Sequence, residues 1–245
     1  MNLERLVAIM RRLRDPERGC SWDLQQSFAT IAPYTIEEAY EVADAIERGD
    51  MAGLADELGD LQLQVVFHSQ MAEELGLFTL DHVITHICDK LERRHPHIFG
   101  GSAETPGWDA IKAAERKSTP DESALAGVAN ALPALDRAAK LQRRAARTGF
   151  DWPDPSGPRA KIEEELSELD RETDRERQEE ELGDLLFAVV NLARHLNIDP
   201  EEALRKANRK FEKRFRSIEK ALGFEMMSLE EKEELWRRAK LSQAD

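Results

Sequence analysis

The sequence predicts an all-α protein made of two tandem helical bundles, and three observations predict it. Ala, Leu, Glu, Arg and Lys dominate while Gly, Pro and aromatic residues are sparse, a composition of high helix propensity. Apolar residues recur at helical spacing, and no segment alternates cleanly enough to read as a strand. Three blocks of sequence return in the same order in the two halves, as expected for a duplicated structural unit.

Leu3, Leu6, Val7, Met10 and Leu13 define a first amphipathic helix, which Asp15-Pro16-Glu17-Arg18-Gly19 ends. An irregular stretch is expected from there to Pro33. Thr35 is placed to cap a helix opening Ile36-Glu37-Glu38, with Glu38 at the capping-box distance, and Gly49-Asp50 break that helix after Arg48. Helices follow over about 51–74, stopped by Gly76, and about 80–94, ended by His95-Pro96. The stretch of about 99–133 is rich in Gly, Pro, Ser and Thr, with a short helical piece near 109–116. It is the expected linker, and it sets the domains at 1–118 and 119–245. A helix over about 134–147 then leads to a second irregular stretch, Gly149 to Pro158. The order repeats with helices over about 159–173, 176–196 and 200–222, and a last helix covers about 229–241.

The repeat is visible residue by residue. Ile36-Glu37-Glu38-Ala39-Tyr40-Glu41 matches Glu163-Glu164-Glu165-Leu166-Ser167-Glu168, and Asp56-Glu57-Leu58-Gly59-Asp60-Leu61 matches Glu180-Glu181-Leu182-Gly183-Asp184-Leu185. Val65-Val66-Phe67-His68 then faces Val189-Val190-Asn191-Leu192, and Lys90-Leu91-Glu92-Arg93-Arg94 faces Lys210-Phe211-Glu212-Lys213-Arg214. Trp22-Asp23 and Asp151-Trp152 mark the approach to each copy.

Residues three apart on a helix share a face, so Glu165 pairs with Glu168 and Glu181 with Asp184. The connection between their helices is short, so the helices pack antiparallel and bring four carboxylates together. Like charges that close repel unless a cation joins them. An all-oxygen carboxylate set suits a hard divalent ion, Mg²⁺ first and Mn²⁺ as a substitute. A di-iron bundle uses similar parts but needs Glu-x-x-His motifs, and neither block has a His at that spacing. Gly59 and Gly183 sit inside helices, where Gly costs about 1 kcal/mol relative to Ala, which suggests close approach of a helix or ligand. Lys161 lies four before Glu165 and Arg177 four before Glu181, so both flank the acidic set. Lys210 and Arg214 form a further i, i+4 basic pair. Acidic residues with a divalent cation and a basic rim are what polyphosphate binding requires.

The formal net charge of −14 disfavours a nucleic-acid polymer as partner, because attraction to phosphates supplies most non-specific affinity. Cys20 and Cys88 lie in no Cys-x-x-Cys pattern, and no apolar run has the length of a membrane span. The start of the chain has no apolar signal segment. A cytoplasmic protein without a membrane partner is expected.

These blocks resemble the MazG family of nucleoside triphosphate pyrophosphohydrolases over nearly the whole chain. Leu13-Arg14-Asp15-Pro16, Gly19-Cys20-Ser21-Trp22-Asp23, Ala29-Thr30-Ile31-Ala32-Pro33-Tyr34-Thr35, Lys90 through His97 and Val190 through His195 are similar to family signatures. Ser21 stands where the family commonly carries Pro, a departure that touches no candidate ligand. The resemblance implies two MazG-type bundles, a homodimer, and cleavage of NTPs and dNTPs between the α and β phosphates to a monophosphate and pyrophosphate. It implies that Glu165, Glu168, Glu181 and Asp184 hold Mg²⁺ and that Lys161, Glu164, Arg177, Glu180, Lys210 and Arg214 line the nucleotide site. Trp236 becomes the residue expected at the nucleobase. The expected chemistry is metal-assisted attack of water on phosphorus, with Glu164 or Glu168 as general base.

The copies differ. Glu38, Glu41, Glu57 and Asp60 form a second candidate metal site, and Lys90 and Arg94 are retained. Tyr34 replaces Lys161, however, and Gly53 replaces Arg177. The C-terminal copy is therefore expected to carry the turnover. A helical scaffold for protein partners would explain the helices and charge but not the repeated acidic set with its cations. A narrower, dUTPase-like house-cleaning hydrolase is the other alternative.

Overall fold

The computed structural model describes residues 2–100, 121 and 123–242. The backbone divides into two compact units, Met1–Ile111 and Lys112–Asp245. Every regular element among the described residues is helical. The helical piece expected near 109–116 and the expected domain boundary at 118/119 lie outside those residues.

In the first unit, α1 (Asn2–Leu13), α2 (Ser21–Gln25), α3 (Phe28–Arg48), α4 (Met51–Glu74), α5 (Leu80–Arg94) and α6 (Pro96–Phe99) follow in order. The α3 helix starts earlier than the sequence suggested. Ser27 caps it, accepting from the Thr30 N–H while the Thr30 hydroxyl accepts from the Ser27 N–H. That reciprocal pair contributes about 1 kcal/mol, and the helix continues through Pro33. Thr35 consequently lies within the helix, its hydroxyl donating to the Ile31 carbonyl at 3.4 Å and contacting His68 Nε2 at 3.1 Å. Gly49 ends the helix with φ 68°, a left-handed conformation that costs a residue without Cβ little. Helices α3 and α4 pack together and α1 closes over α4. Met10, Ile31, Val66, Phe67 and Met71 form the core of the unit, with Leu3, Leu6 and Val7 packed against it.

In the second unit, α7 (Ala134–Ala146), α8 (Ser156–Arg171), α9 (Arg175–His195), α10 (Pro200–Ile218) and α11 (Leu229–Ser242) repeat the plan. The α8 helix also opens before its expected start, with Pro158 in its first turn, where a missing N–H costs nothing. Asp174 caps α9, accepting from the N–H groups of Glu176 and Arg177, and Asp199 caps α10. The α10 helix stops at Ile218, short of Leu222, and a 3-10 turn over Phe224–Met226 leads to α11. Helices α8 and α9 pack together, α7 lies on α9, and α10 on α7 and α11. No helix among the described residues is long and apolar enough to cross a membrane.

Candidate active site

The turn between α8 and α9 is short, so the acidic faces of the two helices meet. One carboxylate oxygen each of Glu165, Glu181 and Asp184 lies within 4.8 Å of the others. Glu164, Glu165 and Glu168 form a second such group, so Glu165 belongs to both. The four carboxylates singled out by spacing therefore converge as two overlapping groups of three, with Glu164 joining them.

The two groups differ in charge balance. Glu165 is only 3% exposed, and Lys161 pairs with it and, at 2.9 Å, with Glu164. Those two hydrogen bonds, Glu165 first, hold the Lys161 ammonium well above the usual lysine range. Glu181 shares a group with Glu165 and Asp184. Burial first, then the charges of Glu168, Glu165 and Asp184, push its carboxyl above the ordinary value of 4.5. Lys161 reaches this group only through Glu165, and Glu181 and Asp184 make no ion pair among the described residues.

The first unit repeats the geometry with less support. Glu38, Glu57 and Asp60 bring oxygens within 4.8 Å of one another. Glu41 is exposed and outside that group, yet its charge, after burial and Asp60, raises the Glu38 carboxyl. Tyr34, at the position of Lys161, sits edge-on to Trp22 with ring centroids 6.2 Å apart. No lysine enters this cluster from that position.

Of the expected basic rim, only Lys161 is engaged with the carboxylates. Arg177, Glu180 and Lys210 are exposed, and neither cation makes an ion pair among the described residues. Arg214 is half-buried, with Nε buried and without an acceptor, and its guanidinium lies 5.9 Å from the Trp236 ring. Trp236 also packs on Phe211 with centroids 5.2 Å apart. A Cβ on Gly59 or Gly183 would meet nothing within 4 Å, so no neighbouring helix among the described residues explains these glycines.

A cavity of about 690 Å³ opens beside the second-unit carboxylates, with Lys161, Glu165 and Asp184 among its lining residues. Its other walls come from residues that spacing did not single out: Phe150 and Trp152 from the loop after α7, Gln142 on α7, and Phe187, Asn191 and Arg194 on α9. Trp236 is not among them. The Trp152 indole lies over Gly157, where an added Cβ would collide with it, so the glycine makes room for the ring. Asp151 receives two hydrogen bonds from Arg194, which, ahead of His195, hold its carboxyl below the usual 3.8. The sign for stability is that of a depressed acid: this contribution is complete above the ordinary aspartate value and is lost as pH falls through the lowered one. The clues in the sequence were the recurrence of Trp and Asp before each copy and the stretch Val190 through His195.

The comparisons with known proteins agree with this architecture. The model of the MazG nucleotide pyrophosphohydrolase domain matches residues 26–99 and 158–218, the segments that carry the two acidic groups. The chain is similar to the nucleoside triphosphate pyrophosphohydrolase of Escherichia coli (strain K12), 51% identical over 259 aligned residues, covering 99% of this chain and 98% of that protein. It is 47% identical over 247 residues to the nucleoside triphosphate pyrophosphohydrolase/pyrophosphatase MazG of Thermotoga maritima, covering 97% and 95% of the two chains. A nucleoside triphosphate pyrophosphohydrolase of Mycobacterium tuberculosis is 36% identical over 153 residues, 59% of this chain and 45% of that protein. The chain belongs to the MazG nucleotide pyrophosphohydrolase family.

Proposed function

We propose that the protein hydrolyses NTPs and dNTPs to the nucleoside monophosphate and pyrophosphate with Mg²⁺, and that the second unit carries the turnover. The observation that carries this reading is the group of Glu165, Glu181 and Asp184, whose three carboxylates share only the Lys161 cation, with Glu165 and Asp184 lining a cavity of nucleoside size. The printed names of the full-length relatives from E. coli and T. maritima support it.

Glu165, Glu168, Glu181 and Asp184 are the residues that would hold Mg²⁺, with Mn²⁺ as a substitute. The crowding of negative charge that raises the Glu181 carboxyl is what a divalent ion would offset. When bound, the ion offsets charge on the phosphate oxygens and makes water more acidic. Lys161 holds Glu165 and Glu164 in place, leaving Glu165 one arrangement in its buried position. Glu164 is already engaged by Lys161 at 2.9 Å. Glu168 is half-buried and makes no ion pair among the described residues, so we place the proton from the attacking water on Glu168. Arg177, Glu180, Lys210, Arg214 and Trp236 complete the nucleotide site. The buried Nε of Arg214, without an acceptor, suits a phosphate oxygen. Glu38, Glu41, Glu57 and Asp60 form a second metal-capable site of low turnover.

The assay is a panel of ribo- and deoxyribonucleoside triphosphates with product identification, with and without Mg²⁺. Pyrophosphate and monophosphate are expected with Mg²⁺. Orthophosphate as the product removes this reaction class, and confinement to one base selects the dUTPase-like alternative.

The active form is a homodimer. Leu182, Leu186 and Val189 lie at i, i+4 and i+7 on α9 and are 48%, 51% and 44% exposed, with Leu166 of α8 at 48%. An apolar stripe of this kind is costly in water and marks an interface. Leu186→Glu is expected to shift the sedimentation coefficient from dimer to monomer. An unchanged sedimentation profile rejects this face. The free thiols of Cys20 and Cys88 fit a reducing cytoplasm.

A further inference from the structure

The cavity beside the second-unit carboxylates holds two buried amides with one free polar atom each. Gln142 is 6% exposed and Asn191 is 9% exposed. Gln142 Nε2 donates to the Phe187 carbonyl at 2.8 Å, and its Oε1 is buried without a partner. A carbonyl only accepts, so this bond fixes which way the amide points and leaves Oε1 as the unused acceptor. Asn191 Oδ1 accepts from Arg194 Nε at 2.9 Å and from a terminal nitrogen of Arg194 at 2.7 Å. Guanidinium only donates, so the Asn191 amide is fixed as well, and its Nδ2 is left as a donor with no acceptor among the described residues. Asp151 holds Arg194 from behind. A buried polar atom without a partner is rare and costly, and the Gln142 Oε1 is one; Asn191, whose Nδ2 has no acceptor among the described residues, lines the same cavity.

The duplication supplies the control. In the first unit Phe67 stands where Asn191 stands in the second. Aligning Arg11-Arg12 with Arg143-Arg144 sets Met10 at the position of Gln142. Met10 and Phe67 are 1% and 3% exposed and belong to one apolar core cluster. The same two positions are thus closed by hydrocarbon in one unit and carry free hydrogen-bonding atoms in the other.

We infer that Gln142 and Asn191 read the edge of the substrate's nucleobase. The Gln142 Oε1 accepts from an amino or ring N–H, and the Asn191 Nδ2 donates to a ring nitrogen or carbonyl. Phe150, Trp152 and Phe187 supply apolar and aromatic walls, while Lys161 and the carboxylates take the phosphate end. This assignment rests on the triphosphate hydrolysis proposed above and names the residues that set its base preference.

The test is steady-state pyrophosphate release from ATP, GTP, CTP and UTP, with ribose 5-triphosphate as a substrate lacking a base. The variants are Gln142→Met, which installs the first unit's residue at equal size, Asn191→Leu and Asn191→Asp. For Gln142→Met and Asn191→Leu, kcat/KM on the preferred nucleotides is expected to fall about tenfold or more, mainly through KM, with the base-free substrate within about twofold of the parent. Asn191→Asp replaces a donor by an acceptor beside Arg194 and is expected to reorder the preference among the four bases. Parental kinetics on all four nucleotides, or an equal loss on ribose 5-triphosphate, would overturn the assignment. So would a parent protein that turns over the base-free substrate as well as any nucleotide. A parent protein that releases no pyrophosphate from any substrate overturns instead the hydrolysis on which the assignment rests.

Discussion

Glu165→Gln is expected to lower Mg²⁺-dependent pyrophosphate release by about 10³-fold, while Glu38→Gln retains most of the activity. The asymmetry follows from the surroundings of the two residues. Glu165 belongs to both carboxylate groups of its unit, is almost fully buried and is paired with Lys161. The amide keeps its shape but removes a negative ligand from both groups at once. Glu38 belongs to one group, without a lysine at the position of Lys161. Thermal denaturation gives an independent readout. A ligand that binds only the folded state raises Tm. Mg²⁺ is expected to stabilise the parent and the Glu38 variant but to do so much less for Glu165→Gln. If Glu38→Gln is the inactive variant, turnover belongs to the first unit.

Lys161→Met separates metal binding from catalysis. Removing the ammonium leaves Glu164 and Glu165 more negative, so the affinity for Mg²⁺ is expected to hold or tighten. The rate is nevertheless expected to fall about 10²-fold, because Glu165 loses the bond that positions it and the phosphate end of the site loses a cation. Without Mg²⁺ the variant is expected to lose about 1–2 kcal/mol of stability. That is below the cost of breaking a fully buried pair, since the Lys161 side chain is 36% exposed and water screens part of the interaction. Adding Mg²⁺ restores much of the loss by neutralising the same carboxylate. A parallel fall in Mg²⁺ affinity and rate would make Lys161 a structural support of the metal site only.

Among the described residues, the helices of both units were largely legible in the sequence because their signals are local. The stops at Gly49 and Gly76, the boundary at Met51 and the Leu80–Arg94 helix are set by neighbours within one turn. Where two local signals competed, spacing was a poor judge. Pro33 read as a boundary, but the Ser27–Thr30 capping pair opens the helix ahead of it. The trailing end of α10 was overextended because the helical pattern runs past Ile218 into a turn closed by Gly223 with φ 75°.

The acidic site divides in the same way. A period of 3.6 residues is a property of the backbone, so the sequence by itself determined that Glu165 faces with Glu168 and Glu181 with Asp184, in a duplicated arrangement that lacks its lysine in the first copy. Only the tertiary structure decided that Glu165 is shared by two groups and that Lys161 pairs with both Glu164 and Glu165. It also decided that Gln142 and Asn191 bring one free acceptor and one free donor to a cavity beside the phosphate end. Those facts depend on which carbonyl, guanidinium or carboxylate a distant helix presents to each side chain. The fixed direction of a hydrogen bond, not the spacing of residues along the chain, sets what is left free.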